Sequence, residues 1–298
     1  MAKKRIRLLP DANPLERFQS VFVIQWKDFL CLRKMVLKKS DPDDIHDLRT
    51  ALRRLRLAFK LFEYFSSSDV NKKFKKSLRK LASMLGDLRN IDEALLFFHA
   101  HISFSASHRF YKKLKKNRSI EWRRLKKLLH LFEHQFDKLV QNMTVELKAI
   151  SFTKLRERSM RTYFSNLSDH YSKTIHDLLA ISIESKQWKS RHALRIAIRK
   201  WRYTLEIFAV VLDRDYDLLL NQLKKYQLVL GRINDVAAFG ALCKDMELSS
   251  TERKLVEITL LKEEKVLLKK FARLIKQKPL ITAKGFVTLP RLLRRRNK

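Results

Sequence analysis

His46-Asp47-Leu48-Arg49-Thr50-Ala51-Leu52-Arg53-Arg54-Leu55-Arg56 runs on as Leu57-Ala58-Phe59-Lys60-Leu61-Phe62-Glu63, and its pattern returns later in the chain. The second stretch is His192-Ala193-Leu194-Arg195-Ile196-Ala197-Ile198-Arg199-Lys200-Trp201-Arg202, followed by Tyr203-Thr204-Leu205-Glu206-Ile207-Phe208. One shift of 146 residues carries His46 onto His192, Arg49 onto Arg195, Arg53 onto Arg199, Arg56 onto Arg202 and Phe62 onto Phe208. At ~100° per residue, His46, Arg49, Arg53, Arg56 and Lys60 fall within an arc of roughly 80° on one side of a helix. Leu48, Leu52, Leu55, Phe59 and Phe62 centre about 120° away, so each copy is a helix with a basic flank beside an apolar face.

Working outward, Leu78-Arg79-Lys80 and Leu85-Gly86 match Leu223-Lys224-Lys225 and Leu230-Gly231 at a shift of 145. Two anchors in the same order argue for a duplicated four-helix unit. Asn13-Pro14 reads as an N-cap followed by proline at the first helical position, and opens a helix to about Lys38. Asp41 caps a second helix to about Phe65. Ser66 to Asp69 breaks and recaps the chain for a third helix across Leu78, Leu81, Leu85 and Leu88. After a soft spot at Ser103 to Ser107, one long helical pattern covers roughly Arg109 to Ile150, with a break near Asn117. Further segments fall at about 156–184, 190–213, 216–247 and 250–276. The count is about eight helices, four on each side of a point near residue 152. The expected organisation is a first four-helix half at 14–152, a second at 153–276, and basic terminal segments at 1–13 and 277–298.

Composition excludes the alternatives. Of 298 residues only four are glycine and five proline, and none of the prolines lies between Pro42 and Pro279. A sandwich or doubly wound sheet needs many turns, and a nucleotide-binding loop needs clustered glycines, so the class is all-α. A 45% hydrophobic content excludes a disordered basic tail, and a chain of this length buries roughly 75% of its unfolded surface. Two cysteines, Cys31 and Cys243, build neither a disulfide framework nor a Cys-type zinc site, which fits a reducing cytoplasm. Pro10, Asp11 and Asn13 interrupt the basic start before an apolar signal region forms, and no apolar run approaches the roughly 18 residues of a membrane span. A cytoplasmic protein with no membrane partner is expected.

The net charge is +35, and its placement carries the functional reading. Like charges at helical spacings of three and four repel, by a few tenths of a kcal/mol per pair. The first stripe helix has Glu63 only at its far end, so an anionic ligand is the natural counter-charge. Arginine suits phosphate because its planar fork makes two parallel bonds to the oxygens. Lys72, Lys73, Lys75, Lys76, Arg79 and Lys80, with Lys224 and Lys225 in the second half, are candidates for the opposite wall. Unrepeated runs such as Lys112 to Lys116 and Arg123 to Lys127 read as solvated faces, and Leu85-Gly86 and Leu230-Gly231 as sites of close helix packing or a kink. His46 and His192 read either as protonatable phosphate contacts or as hydrogen-bonded histidines near a helix start. His130 and His134 have the i, i+4 spacing of two metal ligands, but no convincing third ligand accompanies them, so no metal or other cofactor is assigned. A nucleic-acid binder is the main alternative on charge alone. Against it, Phe59, Phe62, Trp201 and Phe208 lie on the apolar face, away from any base. A metal-dependent phosphohydrolase would need further His/Asp clusters.

At these residues the sequence resembles the CHAD family, the conserved histidine α-helical domain. Its first motif is similar to His46-x-x-Arg49-x-x-x-Arg53-Arg54-x-Arg56 and its second to His192-x-x-Arg195-x-x-x-Arg199-Lys200-x-Arg202-Tyr203. The stretches Leu85 to Asp92 and Leu230 to Asp235 resemble the family's two Leu-Gly segments, with Arg89-Asn90 departing from the usual Arg-Asp pair. The resemblance spans roughly residues 14–276. It implies two four-helix bundles related by a pseudo-twofold, which bind inorganic polyphosphate without hydrolysing it in a stand-alone member, and an association with polyphosphate granules. It further implies polyanion contacts by His46, Arg49, Arg53, Arg54 and Arg56 and by His192, Arg195, Arg199, Lys200 and Arg202, with Arg79, Lys80, Lys224 and Lys225 in second rank. Non-specific nucleic acid is the alternative partner.

Overall fold

The computed structural model describes residues 12–66, 72–102, 108–132, 137–150, 153–183, 187–244, 246–277 and 280. Among these the regular structure is α-helical: α1 Pro14–Lys39, α2 Pro42–Ser66, α3 Lys72–His101, α4 His108–Leu131, α5 Asp137–Ala149, α6 Lys154–Ser182, α7 Trp188–Val211, α8 Asp217–Lys244 and α9 Ser250–Gln277. The helix starts follow local chemistry. Asn13 Oδ1 accepts from the N–H groups of Leu15 and Glu16, both at 3.0 Å, and Glu16 returns a bond to the Asn13 N–H at 2.8 Å, a complete capping box before Pro14. Asp41 Oδ1 accepts from the Asp43 N–H at 2.8 Å, and Ser249 and Glu252 form a second reciprocal cap at α9. Between α1 and α2, Ser40 turns the chain in the left-handed region at φ 49°.

The helical pattern over Arg109 to Ile150 is not one helix broken near Asn117. Asn117 lies inside α4, and the interruption separates α4, ending at Leu131, from α5, starting at Asp137. The reason sits on another element. Arg33 of α1, 1% exposed, donates Nη1–H to the Leu129 carbonyl at 2.8 Å, and the Phe132 N–H donates to the same oxygen at 3.2 Å. These bonds satisfy a carbonyl of the last turn that a continuing helix would have used. Ser67 to Asp69, Ser103 to Ser107, His134 and most of the basic terminal segments lie outside the described residues.

The chain forms two compact units: one from the described residues up to 150 with Ala238–Leu260, the other from those of 153–237 and 261–280. In unit 1, α2 packs along α1 and α3, α4 along α3, and α5 against α1 and α2. Phe22 sits edge-on to Phe59 at 5.3 Å and stacks on Phe62 at 5.8 Å, while Phe59 meets Phe74 at 4.9 Å. A second cluster joins Phe97, Phe98 and Phe110 of α3 and α4 to Phe239 and Cys243. In unit 2, α6 packs along α7, and Phe164 lies 4.6 Å from Phe208 and 5.8 Å from Trp201. Each such ring contributes roughly 1.5–3 kcal/mol by leaving water, and their spacing along α2 and α7 fixes which side of each helix remains outside.

Candidate functional site

The core dictates the orientation of both stripes. On α2, Leu48, Leu52, Leu55, Phe59 and Phe62 are all buried. With that face committed, the basic flank turns outward: His46, Arg56 and Lys60 are exposed, and Arg49, Arg53 and Arg54 are half-buried. Arg54 follows Arg53 by one residue, and so points about 100° around the helix from it. On α7, Leu194, Ile198, Trp201, Leu205 and Phe208 are buried, His192 and Lys200 are exposed, and Arg195, Arg199 and Arg202 are half-buried. Phe59, Phe62, Trp201 and Phe208 are all within the cores and offer no ring to a base. On the following helices Arg79, Lys80, Lys224 and Lys225 are exposed.

Within unit 1 the structure brings together Arg53, Arg56 and Arg79. The Arg56 guanidinium is held below the usual arginine range first by partial desolvation, then by the positive charges of Arg79 and Arg53. Solvent still reaches Arg56. Among the described residues, no acid is paired with any of these three arginines. Glu63, the nearest acid downstream on α2, forms an ion pair with Lys75.

The start of the same stripe differs. His46 is shifted below its ordinary pKa by desolvation and by the nearby Arg89, with Asp47 and Glu93 opposing and Arg49 adding to the shift. Arg89, 8% exposed, donates to the Pro42 carbonyl at 3.1 Å and pairs with Glu93 one turn on. Beneath it Asp92, 2% exposed, accepts from Arg118 Nε at 2.5 Å, and Arg118 Nη2 donates to the Ser40 carbonyl at 2.7 Å. Burial raises the Asp92 carboxyl while its bond to Arg118 pulls it back. Asp87, raised chiefly by desolvation and by Glu121, is lowered by Arg49. Acids therefore accompany the beginning of the α2 stripe and leave its middle alone.

In unit 2, His192 Nδ1–H donates to Asn234 Oδ1 across from α7 to α8. A carbonyl oxygen only accepts, so Nδ1 is the ring nitrogen that carries the proton in this bond. Arg202 donates Nε–H to Gln227 Oε1 at 2.8 Å and Nη1–H to Glu206 Oε1 at 2.5 Å, with its guanidinium 4.5 Å from the Tyr203 ring centroid. Arg202 and Glu206 are only 12% and 14% exposed as side chains.

The two Leu-Gly positions do not mark close helix packing. A Cβ added at Gly86 would meet no atom within 4 Å, and one at Gly231 would meet only Arg195 Nε at 4.0 Å. Neither has a positive φ, so neither glycine is required by the backbone or by a neighbouring helix. Sequence reasoning missed Arg89, Asn234, Gln227 and Arg118 as neighbours of the stripes; the only signal for Arg89 and Asn234 was their place in the two Leu-Gly segments. His130 is exposed on α4, and no group of three or more His, Cys, Asp or Glu that would hold a metal is found among the described residues. Cys243 is buried and its thiol is pushed up to about 12 by that burial, far from a reactive thiolate. No described helix is long and apolar enough to cross a membrane.

Comparison with known proteins agrees with the family resemblance. The family model of the CHAD domain matches residues 24–244. No curated protein matches the chain. Among solved structures, the CHAD domain from the plant Ricinus communis superposes with a TM-score of 0.65 at 20% identity, covering 96% of this chain and 95% of that one. PptA from Streptomyces chartreusis superposes with a TM-score of 0.59 at 14% identity, over 89% of this chain and all of that one. These two share the fold. With the family model spanning well over half of its residues, the chain belongs to the CHAD domain family.

Proposed function

We propose that this protein binds inorganic polyphosphate, without hydrolysing it, along the arginine stripes of α2 and α7. The observation that carries the reading is the pair of outward-facing basic flanks, each held beside a buried face, with Arg53, Arg56 and Arg79 clustered without an acidic partner among the described residues. Repelling guanidiniums are stabilised by a chain of closely spaced phosphate charges, and each fork makes two bonds to phosphate oxygens. The contacts assigned are His46, Arg49, Arg53, Arg54, Arg56, Arg79 and Lys80 on one stripe, with His192, Arg195, Arg199, Lys200, Arg202, Lys224 and Lys225 on the other. The same reading takes the chain as a duplicated four-helix unit, halves 14–152 and 153–276, related by a pseudo-twofold, working in the cytoplasm in association with polyphosphate granules.

Binding by multivalent ion pairing releases condensed counterions, so affinity falls steeply as salt rises. The test is a titration of long-chain polyphosphate with wild type and with Arg49→Ala/Arg53→Ala/Arg195→Ala/Arg199→Ala at 150 mM salt. The reading expects tight binding, strongly preferred over orthophosphate, and its loss in the variant. Equal affinity of the two proteins would refute the site. The net charge of +35 keeps nucleic acid as the competing ligand. Displacement of polyphosphate by duplex DNA or RNA at equal phosphate concentration would favour that alternative, and orthophosphate release with added metal would favour a phosphohydrolase.

A further inference from the structure

Arg56 and Arg202 occupy equivalent places in the two stripes, yet their surroundings are opposite. One turn beyond Arg202 stands Glu206, and the two form an ion pair at the edge of the core. The residue in Glu206's place on α2 is Lys60, which is exposed. Across from Arg202, Gln227 of α8 supplies a second acceptor. Across from Arg56, α3 supplies a further cation, Arg79. Arg202 therefore has its charge compensated and its Nε and Nη1 protons engaged inside the protein. Arg56 has the charges of Arg79 and Arg53 acting on it and Lys60 one turn further along α2, with no acid paired to any of these four among the described residues.

We infer that the Arg53–Arg56–Arg79 cluster is the principal phosphate-binding subsite of this protein, and that Glu206 makes the equivalent position of the second stripe the weaker contact by holding Arg202 as a brace between α7 and α8. The inference rests on the polyphosphate reading and refines it: the two stripes share a pattern but not an affinity. A polyanion gains most where protein charge is uncompensated, because it need not displace an internal carboxylate. At Arg202 it would have to compete with Glu206 for the same guanidinium. The acid at position 206 is then a specificity-determining residue, acting through Arg202.

The experiment compares Arg56→Ala, Arg202→Ala, Lys60→Glu and Glu206→Gln with wild type, measuring polyphosphate affinity by calorimetry and stability by urea unfolding. Arg56→Ala is expected to weaken binding by about tenfold or more with little change in stability, and Arg202→Ala to lower stability with less than about threefold loss of affinity. Lys60→Glu transplants the second stripe's acid beside Arg56 and is expected to weaken binding at least as much as Arg56→Ala. Glu206→Gln releases Arg202 and is expected to strengthen binding severalfold. Equal losses in Arg56→Ala and Arg202→Ala, or a Glu206→Gln protein no tighter than wild type, would overturn the inference while leaving polyphosphate binding intact. A wild-type protein that does not bind polyphosphate would overturn the underlying reading.

Discussion

The start of the α2 stripe and the start of the α7 stripe bear the same motif and are built differently underneath. Below His46 lies a charged layer, Arg89 with Glu93 and Asp92 with Arg118, tied to the carbonyls of Ser40 and Pro42 where α1 hands over to α2. Below His192 lies a single neutral partner, Asn234. Shifting by 145 residues puts Asn234 in the place of Arg89, Ala237 in that of Asp92 and Ala238 in that of Glu93. The same surface pattern thus stands on two different supports. Folding asks only that the buried polar groups below each stripe be satisfied, which charged pairs do under α2 and an amide does under α7.

What the two units share should fail alike, and what they do not share should fail separately. The largest effect is expected from the shared cores: Phe59→Ala in unit 1 and Trp201→Ala in unit 2 should each cost about 3–5 kcal/mol in denaturant unfolding, because both rings are buried among other aromatics. A much smaller cost in one of them would show that the apolar faces are not equivalent. Next, Arg118→Ala leaves Asp92 buried without its ion partner, and should cost about 3 kcal/mol, at the low end for a buried pair because Arg118 is partly exposed. Asn234→Ala in the other unit removes one polar acceptor at the surface and should cost about 1 kcal/mol, so a cost equal to that of Arg118→Ala would erase the contrast.

The smallest effect is a pH dependence at the start of the first stripe. His46 in the folded protein takes up a proton less readily than the unfolded chain does, because desolvation and Arg89 oppose its charge. The unfolded state therefore binds more protons just below pH 6.5, and stability should decline as pH is lowered from there through the folded pKa. His46→Gln should flatten that slope in a series of urea titrations between pH 7.5 and 5. An unchanged slope would show that burial and Arg89 do not hold His46 below its ordinary pKa. Bound polyphosphate reverses the sign locally, since its negative charge favours the protonated ring, and affinity should rise on acidification over the same range.

Much of the helical layout was legible because its signals are local. Asn13-Pro14, Ser40-Asp41-Pro42 and the spacing of Leu48, Leu52, Leu55, Phe59 and Phe62 each lie within a few residues of the feature they specify. The break after α4 was not legible: the group that ends the helix, Arg33, lies 96 residues from Leu129 along the chain and meets it only in the folded core. The same holds for Asn234, which is 42 residues from His192, and Gln227, 25 from Arg202. Glu206 was within reach, at i+4 from Arg202, and its position alone announced the compensated arginine. The stripes and the acid at position 206 were visible in sequence; Arg79 near Arg56 and Gln227 against Arg202 came from tertiary neighbours.

The central claim, that the stripes form a phosphate-chain site, is tested most directly by calorimetric titration of long-chain polyphosphate and of RNA, at equal phosphate concentration, over a series of salt concentrations. Polyphosphate is expected to bind more tightly than RNA throughout, with an affinity that falls steeply with salt and that Arg49→Ala/Arg53→Ala/Arg195→Ala/Arg199→Ala abolishes. RNA binding as tight as polyphosphate, or polyphosphate binding indifferent to that variant, would contradict it.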